Sequence, residues 1–333
     1  MFLLEEKLNV SLLPRVPQRL FRLSSWLDGN FLQETKEDSS EYDQKEAKVD
    51  IAQFMSYGPN YSLEDRVDYV PNFQGADNLT DQELQDTLSS TALGINQSIV
   101  ESKSYSKETG STLVSTVCSK PQATRDGGAE VKLTTTSVGD SGGFVVVVDR
   151  DGKVVPQDNR VHVDAKSGEI TYGQPVQCDV IRLNLKLHNP GPDAPDPQFR
   201  LENSFVIQDI KYTDDDLKID GDISARGMPS GHYRLGRYEE NRPLGSFQTP
   251  AKGRMAVGTL VYNNIGAAKH KSDYKAICKP DTYVNTIKIP PGGRAFVINC
   301  CDGATEGLSE ADISNRILGA VTACWNTNHG LLP

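Results

Sequence analysis

Six short runs rich in Val, Ile and Thr, each bounded by Gly, Pro or Asp, constrain this chain most. They are TLVSTVCS at 112–119, VKLTTTSV at 131–138, GFVVVVD at 143–149, VIRLNLKL at 180–187, VNTIKI at 284–289 and RAFVINCC at 294–301. β-branched residues in runs of this length, closed by turn formers, predict strands. Two stretches carry the helical period instead. Residues 79–102 start at a Thr80 cap and place Leu84, Leu88, Leu93, Ile95 and Ile99 at near-helical spacing. Residues 309–325 start at Ser309 with Asp312 at the third helical position, and put Ile313, Ile317, Leu318 and Val321 on one face. Strands joined by short turns, with helices set apart from them, predict an α+β sandwich and argue against a parallel doubly wound sheet.

The N-terminal region has another texture. Residues 8–28 are amphipathic and basic, broken by Pro14 and Pro17, and residues 33–49 are charged and poor in apolar residues. The reading is an arm and charged linker over 1–50, followed by one folded domain over 51–333. Such an arm can pack on its own domain or touch a membrane or a partner. The proline-rich stretch 189–197 and the segment 208–232, with its acidic run Asp214-Asp215-Asp216, read as surface excursions.

Composition narrows the partners. The chain has 333 residues and a net charge of −10. A phosphate-backbone binder shows a basic face, so nucleic acid is not an expected partner. No apolar run is long enough for a transmembrane helix. Glu5 and Glu6 stand where a signal peptide needs its apolar core. The six cysteines form no C-x-x-C pair and no zinc spacing, which reads as free buried thiols in a reducing, cytosolic compartment.

Residues 139–143, Gly-Asp-Ser-Gly-Gly, carry the serine-protease nucleophile pattern and also satisfy G-x-S-x-G. Neither mechanism follows. A chymotrypsin-like chain supplies its histidine before the serine, whereas the first histidine here is His162. A nucleophile elbow runs from strand to helix, whereas FVVVVD predicts a second strand and so a β-hairpin. Asp140 and Ser141 are accordingly read as turn residues, and His188 as structural.

Taken in order, the segments from about residue 60 resemble the PP2C-like family of metal-dependent protein phosphatases. Phe296-Val297-Ile298-Asn299-Cys300-Cys301-Asp302-Gly303, followed by Leu308-Ser309 and a helix, is similar to the family's strand ending in Asp-Gly. Lys279-Pro280-Asp281 before a strand fits as well. Gly139-Asp140-Ser141 resembles the family's Gly-Asp-Ser turn, followed by Asp151-Gly152-Lys153. Gly110-Ser111-Thr112 resembles Ser-Gly-Thr, Leu187-His188-Asn189-Pro190 resembles Asp-His-x-Pro, Arg242-Pro243-Leu244-Gly245 resembles Arg-Ala-x-Gly, and Glu64-Asp65 the N-terminal Glu-Asp. The departures are equally specific. Asp-Gly-His-Gly-Gly is absent between Asp65 and Gly110, Arg-Ala-x-Gly-Asp ends in Ser246, and Asn60 stands near the position of the phosphate-gripping arginine. Asn326-Thr327-Asn328 lies where the terminal Asp-Asn pair belongs.

The resemblance implies a PP2C-like sandwich of two mainly antiparallel sheets flanked by helices. It also implies a phosphoester hydrolase using two Mg²⁺ or Mn²⁺ ions and a metal-bound water as nucleophile. Such ions need about three converging carboxylates. The expected ligands are Asp302, Asp86 and one of Asp65 and Asp68. Asp302 ends a strand. Asp65 has the family position, and Asp68 is the acid among Val67 and Val70. Asp86 is preferred over Asp77 and Asp81 because its distance from Glu64-Asp65 matches that of the missing bridging aspartate. Asp302, Asp86 and Asp68 are the expected catalytic set. His232 and Arg234, after the glycines Gly227 and Gly231, are candidate substrate contacts.

PP2C order without Asp-Gly-His is similar to a bacterial effector that removes AMP from an adenylylated tyrosine of a host Rab-family small GTPase. The expected partner is then a modified small GTPase, and the expected route is secretion without a cleavable signal into host cytosol. The alternatives are a phosphoprotein phosphatase and a pseudophosphatase that only binds.

Overall fold

The computed structural model describes residues 35–36, 51–52, 79–163, 170–191, 204–207, 210–219, 233–240, 243–244, 249–250, 254–305 and 308–328. The chain divides into two units, Met1–Val67 and Asp68–Pro333. In the first, Thr35–Lys36 pairs antiparallel with Ile51–Ala52. The second is α+β, with all of its strand ladders antiparallel among the described residues. The elements that frame the site are α1 (Asp81–Glu101), β1 (Leu113–Cys118), β2 (Ala129–Val138), β3 (Gly142–Val148), β4 (Ile181–Arg182), β5 (Tyr233–Glu240), β6 (Arg254–Thr259), α2 (Ala268–Tyr274), β7 (Asp281–Ile289), β8 (Arg294–Cys300) and α3 (Glu310–Asn328).

Two sheets carry the core. One has the order β7-β2-β1, with Gln122–Ala123 also on β2, and the other has the order β4-β3-β8. Alternation along the strands sorts the side chains. Val131 and Leu133 of β2, Val145 and Val147 of β3, Ile181, Leu183 and Ile287 share one buried cluster between the sheets. The other face of β3 presents Phe144, Val146 and Val148 to Ile313, Ile317, Val321 and Trp325 of α3. The other face of β2 meets α1. Lys132 Nζ reaches Asp81 Oδ2 at 2.8 Å, Ser89 Oγ bonds with Thr282 Oγ1 at 2.9 Å, and Ala92 packs with Val138 and Ile265. The apolar run of β3 is thus a central strand covered on both faces, which explains why it does not alternate in polarity.

Capping fixes both long helices. Thr80 and Glu83 form a reciprocal capping box on α1. Asp312 N–H donates to Ser309 Oγ at 3.2 Å, and that hydroxyl donates to Asp312 Oδ2 at 2.6 Å. The expected α3 face is buried at Ile313, Ile317 and Val321, with Trp325 extending it by a turn. Each such side chain contributes about 1.5–3 kcal/mol of burial. On α1 the expected stripe is only partly right. Leu84 is buried, but Leu93 and Ile95 stand 44% and 43% exposed, and Ala92 makes the tight contact.

Two other expectations are corrected. The run at 180–187 is strand only at Ile181–Arg182. Beyond it, Leu183 N–H still donates to Gly143 O at 2.7 Å, but Asn184 takes over with its side chain. Its Oδ1 accepts from Gly143 N–H and its Nδ2 donates to Ser141 O, both at 2.7 Å. Nor do β2 and β3 form a hairpin. They lie in different sheets, and Gly139-Asp140-Ser141 is the crossover between them. Gly139 turns the chain at φ +103°, where a Cβ would sit 2.3 Å from Thr112 Cγ2.

A third sheet joins Leu217–Ile219, β5 and β6 and shares a cluster of Tyr212, Leu235, Val257, Tyr262, Tyr274 and Ile277 with α2. The acidic run Asp214–Asp216 forms a 3₁₀ turn, with Thr213 N–H donating to Asp216 Oδ2 at 2.8 Å. The six cysteines are all unpaired, and Cys118 is exposed where a buried thiol was expected. Among the described residues no helix is long and apolar enough to cross a membrane.

Candidate metal centre

The crossover after β2 and the end of β8 meet at one edge of the sandwich. Cys300 pairs with Gly142 at the last rung of the β3–β8 ladder. Beyond that rung come Asp302, two residues after Cys300, and Asp140, two residues before Gly142. Asp302 opens a 3₁₀ turn over Asp302–Ala304 and is exposed. Asp140 is only 8% exposed. Burial pushes the Asp140 carboxyl above the usual carboxylate range, and the negative charge of Asp302 adds to it. The hydrogen bond from Asn189 pulls the other way without cancelling the rise.

Side chains from the segment after β4 hold the crossover. Asn189 Nδ2 donates to Asp140 Oδ2 at 2.8 Å and to Leu260 O at 3.3 Å. His188 is 1% exposed and sits edge-on to Tyr262, ring centroids 5.4 Å apart. Its Nδ1 accepts from Gly139 N–H at 2.8 Å, and its Nε2 lies 2.7 Å from Asp281 Oδ2. Burial works to raise the Asp281 carboxyl, but the hydrogen bond from His188, with Lys186 and Lys279 behind it, holds it below its ordinary range. Both ring nitrogens are thus engaged, in line with the structural reading of His188. Ser141 Oγ shares a 2.7 Å hydrogen bond with Thr112 Oγ1 and belongs to the same corner.

A buried carboxylate beside a second carboxylate is unfavourable unless a cation or a proton relieves it. Two acid oxygens at a water-accessible edge suit a hard divalent ion such as Mg²⁺ or Mn²⁺, which takes oxygen ligands and retains waters. The donor chemistry of Asp140 and Asp302 fits such an ion. Among the described residues no group of three or more His, Cys, Asp or Glu side chains is gathered for a metal.

The expected site residues are distributed as follows. Asp302 is at the edge just described. Asp86 is not brought to it. It is exposed on α1, bonded to Gln82 one turn earlier (Nε2 to Oδ1, 2.9 Å), on the outer side of the β7-β2-β1 sheet. Asp65, Asp68 and His232 lie outside the described residues. Arg234 is half-buried on β5, across from Lys218. Asp140, read from the sequence as a turn residue, and Asn189, named there only within the Leu187-His188-Asn189-Pro190 match, are the further residues at this edge. The available signal was the Gly-Asp-Ser match itself, an acid leaving an apolar run just as Asp302 does.

No protein-family model, no characterised protein and no solved structure matches this chain.

Proposed function

We propose that the chain is a metal-dependent phosphoester hydrolase on a PP2C-like sandwich, acting on a modified host protein. The observation that carries this reading is buried Asp140 at one edge of two packed sheets, its carboxyl pushed up by burial and by the charge of Asp302. Supporting it, Gly-Asp-Ser and Cys-Asp-Gly reach the same edge from neighbouring strands, and α1 and α3 cover the outer faces of the two sheets. Asp140 and Asp302 would hold Mg²⁺ or Mn²⁺. When bound, such an ion neutralises phosphoryl charge and activates water for in-line attack at phosphorus. The residues of the chain do the rest: Asn189 orients the Asp140 carboxylate, and the crossover keeps that carboxylate largely out of water.

The proposed substrate is an AMP-tyrosine phosphodiester on a Rab-family small GTPase. Water adds to phosphorus, the bond from phosphorus to the tyrosine oxygen breaks, AMP leaves, and the phenol regains its proton. The proposed setting is the reducing cytosol of a host cell, reached without a cleavable signal, and six unpaired cysteines suit it.

The test is to incubate the protein and Mn²⁺ with adenylylated and with phosphorylated GTPase, and to measure the products. AMP release that needs the metal supports the reading. Release of inorganic phosphate alone assigns a phosphoprotein phosphatase, and neither product, with no cation binding, assigns a binding module.

A further inference from the structure

His188 grips the residue before Asp140 at two points. Its backbone N–H donates to Gly139 O at 3.2 Å, and its ring Nδ1 accepts from Gly139 N–H at 2.8 Å. A ring nitrogen that accepts from an N–H carries no proton, so the single proton of the neutral ring is on Nε2, facing Asp281 Oδ2 at 2.7 Å. The carbonyl of His188 is held in turn by Tyr262 N–H at 3.0 Å. Asn189 then delivers its amide to Asp140. The far end of the crossover is held separately, at Ser141, whose carbonyl accepts from Asn184 Nδ2 and whose hydroxyl pairs with Thr112 Oγ1. Gly139 has no side chain, and its φ of +103° lies where the backbone of other residues is rarely found.

We propose that His188 is a positioning residue: the neutral imidazole, oriented by Asp281, fixes the Gly139 amide and thereby aims Asp140 at Asp302. The chain Asp281–His188–Gly139–Asp140 has the form of an outer-shell relay, in which a carboxylate orients a histidine and the histidine orients what holds the ion. The inference rests on the proposed metal site for its consequence, while the clamp itself is a property of the metal-free chain.

Two isosteres separate the two ends of the ring. His188→Asn places an amide oxygen near the Nδ1 position and keeps an acceptor for Gly139 N–H, while losing Asp281. His188→Gln places an amide nitrogen near the Nε2 position and keeps a donor for Asp281, while losing Gly139. Hydrogen exchange of the Gly139 amide, measured by NMR without metal, reads the clamp directly, and calorimetric titration with Mn²⁺ reads its consequence. The expected result is fast Gly139 exchange and about tenfold weaker Mn²⁺ binding in His188→Gln. His188→Asn, which keeps the Gly139 acceptor but loses the orienting Asp281, should fall between wild type and His188→Gln in both measurements. Equal Gly139 protection in the two folded variants overturns the inference, and so does equal Mn²⁺ affinity. Wild type that binds no Mn²⁺ while Gly139 exchange still follows the variants leaves the clamp standing and removes the metal reading instead.

Discussion

Asn189 spends one side-chain amide on two acceptors, Asp140 Oδ2 at 2.8 Å and Leu260 O at 3.3 Å, and so ties a buried carboxylate to the loop after β6. That single bond does not offset the burial of Asp140, whose carboxyl stays above its ordinary range. A carboxyl with a raised pKa in the folded state penalises folding when charged. The penalty is present at neutral pH and fades as pH falls through the raised folded value. Asp140→Asn is therefore expected to raise the melting temperature by a few degrees at pH 7 in chelator, an advantage that shrinks in acid. The same variant is expected to lose the stabilisation that Mn²⁺ gives wild type. Thermal unfolding with and without metal checks both.

Gly139 allows no side chain. Gly139→Ala combines backbone strain at φ +103° with a Cβ 2.3 Å from Thr112 Cγ2 and 3.3 Å from its Cα. The expected cost is about 2–4 kcal/mol, from the left-handed penalty plus overpacking. Urea denaturation should show the midpoint falling at unchanged slope.

Asp281 works in the opposite sense to Asp140. Its folded pKa is depressed by the His188 hydrogen bond despite burial. Its stabilisation is thus present above the ordinary carboxylate value and lost as pH falls through the lower folded one. Asp281→Asn keeps an acceptor for His188 but removes the charge. It is expected to cost about 1 kcal/mol at neutral pH, the difference between a charged and a neutral hydrogen bond. The two proteins should converge in stability at the acid end of a pH series of denaturant melts.

Asp86 separates sequence spacing from three-dimensional placement. Its exposed position on α1, bonded to Gln82, predicts that Asp86→Ala leaves Mn²⁺ affinity unchanged within error.

Much of the fold was readable because local signals agreed with their context. The Thr80 and Ser309 caps and the buried run of β3 fall where composition put them, and the strands expected at 284–289 and 294–301 are found over Asp281–Ile289 and Arg294–Cys300. The failures have a common cause. At 180–187 an asparagine side chain replaces ladder bonds, and at 139–141 the chain changes sheets. Both are pairing decisions made by distant residues, Gly143 and Thr112 among them, which β-propensity does not record. The α1 stripe misled because small Ala92, not Leu93, fits the close approach to Val138. Asp302 was legible as a strand-end acid, but Asp140 looked like turn chemistry until its burial and its neighbour were visible. Asp86 was placed by a distance along the chain, which does not fix a face or a layer.

The central claim is that Asp140 and Asp302 jointly hold a divalent ion. Calorimetric titration of Mn²⁺ and Mg²⁺ into wild type, Asp302→Ala and Asp140→Asn tests it most directly. The account predicts saturable binding in wild type that is lost, or weakened by tenfold or more, in both variants while their folds persist by circular dichroism. Binding that survives both substitutions, or no binding in wild type at millimolar metal, would contradict it.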